Sequence, residues 1–298
     1  MARFRQAPTS VRLGGIMRIP SVLLAVMLGA GPPLSLAQIC GNAKQGERTW
    51  LHKDAILFKN AVLHVDADGA PNSYLLDGNG LSYTCDGVVA IENGKKVTPK
   101  SDPKRWQEKC RAAWKNAKAT GDYRGVSIFG FETNEKNVPL VQSKDDPLPG
   151  KAYISTTSYP VPGQPKGTQR RYVDATKIPY IVLPPSFRET HKIKRGTLAV
   201  VYRPKTGRHA FAVYGDSGSL GEASVKLHQD LGSDPMIVRD GVARAKAGIG
   251  DASLIAVFPN AVASPETNTE AWYASIQQEG ATALESFGGL EVLKSCAR

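Results

Sequence analysis

The sequence predicts an α+β fold rich in β-structure, in which two helices pack on a small antiparallel sheet or barrel. Two observations lead to this prediction. Between residues 126 and 227, short β-branched and aromatic runs alternate with Pro- and Gly-rich turns, which is typical of strands. Apolar residues recur at helical spacing near 103–119 and 268–287. With 298 residues, 41% of them hydrophobic, the chain can bury a substantial core.

The first 37 residues have the features of a cleaved secretory signal peptide. Arginines precede an apolar stretch at 19–30, and Ser35-Leu36-Ala37 follows as a small-x-small cleavage pattern. We therefore expect a secreted protein, extracellular or periplasmic, whose mature part is one domain over residues 38–298. A membrane anchor is the less favoured alternative, because the apolar stretch is shorter than the roughly 20 residues that a membrane-spanning helix needs.

The first helix is predicted from its start signals and its apolar face. Asp102 and Pro103 are typical of the N-cap and the first helical position. Trp106 and Trp114 then fall on one face, and Gly121 ends the pattern. We interpret both tryptophans as core residues rather than as platforms on which sugar rings stack.

Five further segments predict strands, and one turn between strands is acidic. The predicted strands are 152–157, 178–183, 197–202, 209–214 and 254–258. Another alternating apolar segment, 54–65, ends in an Asp-Ala-Asp-Gly-Ala-Pro turn that carries Asp66 and Asp68. Such a turn can bind calcium or a cationic sugar, or it can be a solvated loop held by its own side chains. The helix at 268–287 is expected to pack on the sheet.

The four cysteines, Cys40, Cys85, Cys110 and Cys296, all lie beyond the predicted signal peptide. An even number of cysteines in an exported protein favours two disulfides. Three pairings are possible, and the sequence does not decide among them, but we favour Cys85 with Cys110 and Cys40 with Cys296. The cysteine spacings fit no zinc pattern and the histidines are scattered, so we expect no metal.

The segment that suggests chemistry follows the predicted strand 209–214, where Asp216 and Glu222 flank a Gly/Ser turn. Hydrolysis of a glycosidic bond needs one carboxylic acid to protonate the leaving oxygen and one carboxylate to activate water or attack the sugar. Acidic turn residues are also common without any catalytic role. The Gly-Asp-Ser-Gly motif around Ser217 matches the core of the chymotrypsin-like protease signature, but no histidine has the neighbours that this family requires.

Several sequence blocks follow one another along residues 54–296. They are the turn 66–71 with Tyr74, Gly-Phe-Glu-Thr at 130–133 with Pro139 and Gln142 beyond it, residues 149–158, residues 172–184, the segment 216–224, Val-Phe-Pro at 257–259 and Phe-Gly-Gly at 287–289. No single block is specific. In their order and spacing they resemble the glycoside hydrolase family 75 chitosanases, including related secreted bacterial proteins.

This resemblance implies endo-hydrolysis of β-1,4 linkages in chitosan, which is partly deacetylated chitin, with inversion at the anomeric carbon and without a cofactor. It also implies a six-stranded barrel of double-psi type, and it maps the family's catalytic Asp and Glu onto Asp216 and Glu222. We interpret Glu222, beside the apolar Leu220 and Ala223, as the general acid and Asp216 as the base, although the roles could be exchanged. The turn between them is shorter than in the fungal enzymes, which could bring the carboxylates too close together.

Glucosamine units are cationic near neutral pH, so carboxylates should line the substrate subsites. Asp66, Asp68 and Asp174 are our candidates, with turn formation and strand-end capping as structural alternatives. We expect the partner to be chitosan or a related amino-sugar polysaccharide, and the protein to be a monomer without a membrane span. The alternative function is a non-catalytic secreted carbohydrate-binding or envelope-associated protein of the same fold.

A formal net charge of +11 at first suggests an anionic partner instead. Four of the 38 basic residues lie in the predicted signal peptide, and six more lie from Lys104 to Lys118 on the first predicted helix. Because so much of the charge is confined to two segments and no nucleic-acid-binding motif is present, we expect no nucleic acid partner. The basic face of the helix should point away from Asp216 and Glu222.

Overall fold

A computed structural model describes residues 40–41, 49–60 and 62–297. The predicted signal peptide, residues 1–37, lies outside these residues. The described residues form an α+β fold rich in β-structure. None of the helices in this described part of the chain is long and apolar enough to cross a membrane.

Thirteen strands and five α-helices occur in the described residues. The strands are β1 (Thr49–His52), β2 (Ala55–Asn60), β3 (His64–Asp66), β4 (Val88–Glu92), β5 (Lys95–Lys96), β6 (Val126–Ile128), β7 (Tyr180–Val182), β8 (Thr197–Arg203), β9 (Arg208–Asp216), β10 (Glu222–Ser224), β11 (Met236–Arg239), β12 (Val242–Ala245) and β13 (Ser253–Val262). The helices are α1 (Trp106–Thr120), α2 (Pro185–Thr190), α3 (Val225–Asp230), α4 (Thr269–Phe287) and α5 (Gly289–Ala297).

The largest sheet has eight strands in the order β1-β2-β13-β8-β9-β7-β10-β3, and it is open, with β1 and β3 at its edges. A second sheet has the order β5-β4-β6, and β11 pairs with β12. The large sheet is mixed rather than antiparallel, because β7 runs parallel to β9 and β10 runs parallel to β3. The crossover through α2 between β7 and the β8–β9 hairpin allows β9 to return beside β7 in the same direction.

Most of the predicted elements are present where the sequence places them, although the structure contains further strands and helices that the sequence analysis does not predict. The predicted helices are confirmed as α1 and α4, and four of the five predicted strand segments correspond to β7, β8, β9 and β13. The segment 152–157 is not a regular strand, since it forms only isolated bridges such as Val141 with Tyr153. Helix α1 begins three residues after Pro103, because Asp102 accepts the backbone N–H of Arg105 (3.2 Å) in a turn that precedes the helix.

Each face of the eight-stranded sheet has its own core. On one face, Leu198, Val200 and Val213 pack with residues of α4 and α5, among them Trp272 and Ile276. The other face forms a separate cluster with α3, to which most strands of the sheet contribute. Burial on both faces makes the sheet a rigid base for the loops at its strand ends.

Both favoured disulfide pairs are present. Cys40 and Cys296, with Cα atoms 5.1 Å apart, join the segment before β1 to α5. Cys85 and Cys110, with Cα atoms 6.0 Å apart, join α1 to the loop before β4. Residues 84–131 comprise this loop, β4 to β6 and α1, and we call them the α1 layer. Trp114 is buried in the core of this layer, as predicted.

Tyr74 connects the α1 layer to the acidic turn at 66–71. The hydroxyl end of its ring lies against both Gly87 and Gly130, and its hydroxyl donates a hydrogen bond to Asp68 Oδ1 (2.7 Å). A Cβ atom at Gly130 would lie 2.6 Å from the Tyr74 hydroxyl oxygen and 2.6 Å from Gly87 Cα. Glycine is therefore required at this position by close packing.

We expect Gly130→Ala to lower the free energy of unfolding by about 1–3 kcal/mol, because the added methyl group displaces the Tyr74 ring or the Gly87 backbone. Gly125→Ala is the matched control, since no atom lies within 4 Å of a Cβ atom there. Urea unfolding measures both variants. Equal midpoints for the two would mean that this contact does not constrain the α1 layer.

Candidate active site

Strand β7 separates the two predicted catalytic residues. Val182 of β7 pairs with Asp216 in the parallel ladder with β9. On the other side of β7, Ile181 pairs with Ala223 in the antiparallel ladder with β10, and this register sets Glu222 beside Val182 as well. Because neighbouring strands lie about 4.8 Å apart, the backbones of Asp216 and Glu222 are about 10 Å apart. The short turn between them therefore does not bring them together.

The turn at 217–221 closes over Val182. Gly221 has φ 97°, a conformation that favours glycine, and it lies directly before Glu222. The backbone N–H of Ser219 donates to Glu222 Oε2 (3.1 Å). A Cβ atom at Gly218 would lie 3.0 Å from both Glu222 Oε2 and Val182 Cγ1. These contacts hold the Glu222 carboxylate near the β7 side of the turn.

Asp216 is held by donors from two segments. The backbone N–H groups of Ser158 and Ser217 each donate to its Oδ1 atom at 2.7 Å. The Ser217 hydroxyl in turn contacts the hydroxyls of Tyr214 (2.6 Å) and Ser158 (3.0 Å). Burial, with a smaller contribution from the charge of Glu222, raises the pKa of Asp216 to about 6, against the opposing effect of the hydrogen bonds from Ser158 and Ser217. Ser217 thus contacts two hydroxyls where a protease nucleophile would contact a histidine.

Asp66 and Asp68 lie beside this pair. Asp66 pairs with Ser224 in the parallel ladder of β3 with β10, and its Oδ1 atom accepts the Asp68 N–H (2.8 Å). Burial, followed by the charge of Asp216, raises the pKa of Asp66 to about 7. Burial also raises the pKa of Asp68 well above its usual range, with Asp66 and Asp216 adding to the effect.

The four carboxylates Asp66, Asp68, Asp216 and Glu222 line one cleft of about 970 Å³. Lys246 is the only lysine or arginine among the described residues that line it, and its charge is paired with that of Asp86 (2.7 Å). None of the six basic residues from Lys104 to Lys118 is in this lining. The cleft is therefore acidic although the whole chain is basic.

Asp174 does not line the cleft that holds the other predicted substrate residues. It lines a separate pocket of about 200 Å³ beside the start of α4. Its Oδ1 atom accepts hydrogen bonds from the Thr176 N–H (2.9 Å) and the Thr176 hydroxyl (2.6 Å). These bonds hold a turn before β7, whereas the structural alternative for Asp174 is strand-end capping and turn formation is the one for Asp66 and Asp68.

Of the two apolar neighbours predicted for Glu222, Leu220 lines the cleft together with it, but Ala223 does not. Ala223 is buried in the cluster with α3, and neighbouring residues in a strand point to opposite faces, so Ala223 does not cover Glu222. Burial raises the pKa of three other carboxyls in the cleft, those of Asp66, Asp68 and Asp216.

Some residues of the site have no signal in the sequence. Ser158 is 58 positions from Asp216, and no local pattern links them. Phe129, an exposed aromatic residue, lines the cleft as well. Trp106, interpreted from sequence as a core residue, also lines the cleft, whereas Trp114 is in the core. An apolar helix face alone does not distinguish these two environments.

Comparison with known proteins does not identify the chain. The chain matches no protein-family model and no curated protein. Within the residues that the structure describes, no three His, Cys, Asp or Glu side chains are grouped so as to hold a metal ion.

The raised pKa of Asp66 makes stability depend on pH. The folded protein binds this proton more tightly than the unfolded chain, so the stabilisation is fully present below about pH 4 and is lost as the pH rises through about 7. We expect the free energy of unfolding of Asp66→Asn to be about 1–3 kcal/mol higher than that of the wild type at pH 8. This difference should decrease towards pH 4.

Urea unfolding at intervals from about pH 4 to pH 8 measures this difference. Asp145→Asn, at an exposed aspartate, is the matched control and should follow the wild type throughout. A difference between Asp66→Asn and the wild type that stays constant over the whole range would contradict the assigned burial of Asp66.

Proposed function

We propose that this chain is a secreted, endo-acting glycoside hydrolase that cleaves β-1,4 linkages in chitosan by inversion, with two carboxylates and no cofactor. The position of Asp216 and Glu222 on the two sides of Val182, within an acidic cleft, carries the proposal. Inverting glycosidases hold their carboxyl groups about 6.5–9.5 Å apart, because a water molecule must fit between one of them and the sugar. Backbones about 10 Å apart allow this separation.

We assign the general acid to Asp216 and the base to Glu222, the reverse of the roles that the sequence suggested. The acid must hold a proton at the working pH, and a pKa of about 6 allows this for Asp216 in weakly acidic solution. Asp216 gives its proton to the glycosidic oxygen as the bond from that oxygen to the anomeric carbon breaks. A water molecule attacks the same carbon from the opposite face and loses a proton to Glu222.

Asp66 and Asp68 bind the amino groups of the polymer in this proposal. Their carboxyls hold protons more tightly than usual because burial and neighbouring charges oppose ionisation. A bound ammonium group supplies the missing opposite charge and favours the ionised carboxylates. An acidic cleft of this kind attracts glucosamine units and disfavours anionic polymers.

We also propose that the fold of this chain is related to the six-stranded double-psi barrel. Six strands contribute buried residues to the cluster with α3, namely Phe58 of β2, Ile181 of β7, Val201 of β8, Tyr214 of β9, Ala223 of β10 and Val257 of β13. A single core shared by six strands is what the interior of a small barrel requires, and this supports the relationship although the sheet is open.

Replacing either carboxylate tests the function. We expect Asp216→Asn and Glu222→Gln each to lower the release of reducing ends from chitosan by at least about 100-fold, because each removes one proton transfer. Asp145→Asn, outside the cleft, should cleave at the wild-type rate. Circular dichroism before each assay verifies that the variants are folded.

Wild-type rates in both carboxylate variants would refute the assigned mechanism. If the wild type releases no reducing ends from chitosans of several degrees of acetylation, the hydrolase proposal fails for this polymer. Polymer binding that survives loss of both carboxylates, without cleavage by the wild type, would favour the alternative of a non-catalytic carbohydrate-binding or envelope-associated protein.

The pH profile tests the role of Asp216. Activity should fall as the pH rises through about 6, because Asp216 then loses its proton. The Ser158 side chain lowers the pKa of this carboxyl, so we expect Ser158→Ala to shift the fall to higher pH. Ser101→Ala, at an exposed serine, is the control. A shift to lower pH in Ser158→Ala would contradict the assignment of Asp216 as the acid.

A further inference from the structure

The cleft contains an apolar surface beside its acidic one. Trp106, Phe129, Val89 and Pro99 all belong to the α1 layer and all line the cleft that holds the four carboxylates. We call these four residues the aromatic wall. They take no part in the proton transfers proposed above.

Phe129 is 54% exposed, although it is a large apolar residue. Its backbone is fixed on both sides, since its N–H donates to the Gly87 carbonyl (2.9 Å) and its carbonyl accepts the Thr156 hydroxyl (3.2 Å). The ring is therefore held at the cleft surface rather than in the core of the α1 layer. A ligand that covers an apolar ring at this position removes apolar surface from water, which favours binding.

Trp106 is fixed in a similar way. It is the first residue of α1 and is half-buried, with part of its ring packed on the core of the α1 layer. The Cys85–Cys110 disulfide ties the first turns of the helix to Cys85, which also lines the cleft. The disulfide therefore holds the first turns of α1, which begin with Trp106, beside the cleft.

We propose that Trp106 and Phe129 form a sugar-stacking subsite, which binds the apolar faces of pyranose rings in the same polysaccharide whose amino groups face the carboxylates. The identity of this occupant rests on the proposed function. Aromatic faces carry partial negative charge and attract the C–H groups of a pyranose face. This contact is the same for acetylated and deacetylated units, because both have the same ring.

The size and charge of the cleft favour this occupant. Ligand sites of about 300–1,000 Å³ typically combine apolar and aromatic walls with a few polar groups that fix orientation. A cleft of about 970 Å³ is at the upper end of that range and has room for several sugar units. The carboxylates next to the wall complement an amino-sugar polymer and oppose an acidic one.

Isothermal titration with hexamers of glucosamine and of N-acetylglucosamine tests the subsite, with the full chain carrying Asp216→Asn as the parent to prevent turnover. We expect Phe129→Ala and Trp106→Ala each to weaken binding of both hexamers about tenfold, or about 1.4 kcal/mol. The loss should persist in about 0.5 M NaCl, because the contact involves no net charge on the protein. Trp106→Phe keeps an aromatic ring and should retain most of the affinity. This variant distinguishes loss of the ring from loss of the fold as the cause of weaker binding in Trp106→Ala.

Two control variants complete the design. Val238→Ala removes an exposed apolar side chain (67% exposed) that lies outside the cleft lining, and it should bind both hexamers as the parent does. Asp66→Asn should weaken binding of the glucosamine hexamer only, and high salt should remove most of that effect. The two surfaces of the cleft are thereby tested separately.

The outcomes distinguish the subsite from the proposed function. Parent-like affinity in both alanine variants overturns the subsite, even where the wild type cleaves chitosan. Loss of binding in these variants, together with a wild type that cleaves no chitosan, supports the subsite and overturns the proposed function. A parent that binds neither hexamer overturns the subsite, as does a dimer in analytical ultracentrifugation that Phe129→Ala dissociates.

Discussion

The pairing of β7 is the constraint on which the site depends. A simple hairpin would place Asp216 and Glu222 on adjacent strands, about 5 Å apart, which is too close for a water molecule to enter between a carboxylate and a sugar. Because β7 lies between β9 and β10, parallel to one and antiparallel to the other, the backbones of Asp216 and Glu222 are separated by two strand spacings. A three-residue strand thus sets the spacing between the backbones that carry the two carboxylates.

Gathering four carboxylates in one cleft opposes folding, and the surrounding structure compensates for it. Burial and mutual repulsion raise the pKa values of Asp66, Asp68 and Asp216, so part of the charge is absent in weakly acidic solution. Hydroxyl and backbone donors, such as those of Tyr74 and Ser158, stabilise the negative charge that remains on these carboxylates. The cores on both sides of the sheet and the two disulfides hold this arrangement rigid.

Local signals in the sequence were enough for the two long helices, α1 and α4, and for the acidic turn after β9, but not for α2, α3 and α5. Helix α1 was predictable from Trp106 onwards because apolar periodicity depends only on neighbouring residues, and the acidic turn after β9 was evident for the same reason. The contact of Ser158 with Asp216 and the parallel pairing of β7 could not be predicted, because they join distant segments. The sequence could not show that Asp174 lies outside the cleft, because it does not specify which way the turn before β7 faces.

The anomeric configuration of the first product tests the central claim most directly. Proton NMR can follow the wild type on a glucosamine hexamer before the product sugars equilibrate. Carboxylates on the two sides of β7, with a water molecule between one of them and the sugar, predict that cleavage of the β-linkage releases the α-anomer. Initial release of the β-anomer would mean that the carboxyl groups are close enough for a covalent intermediate, and it would contradict this account.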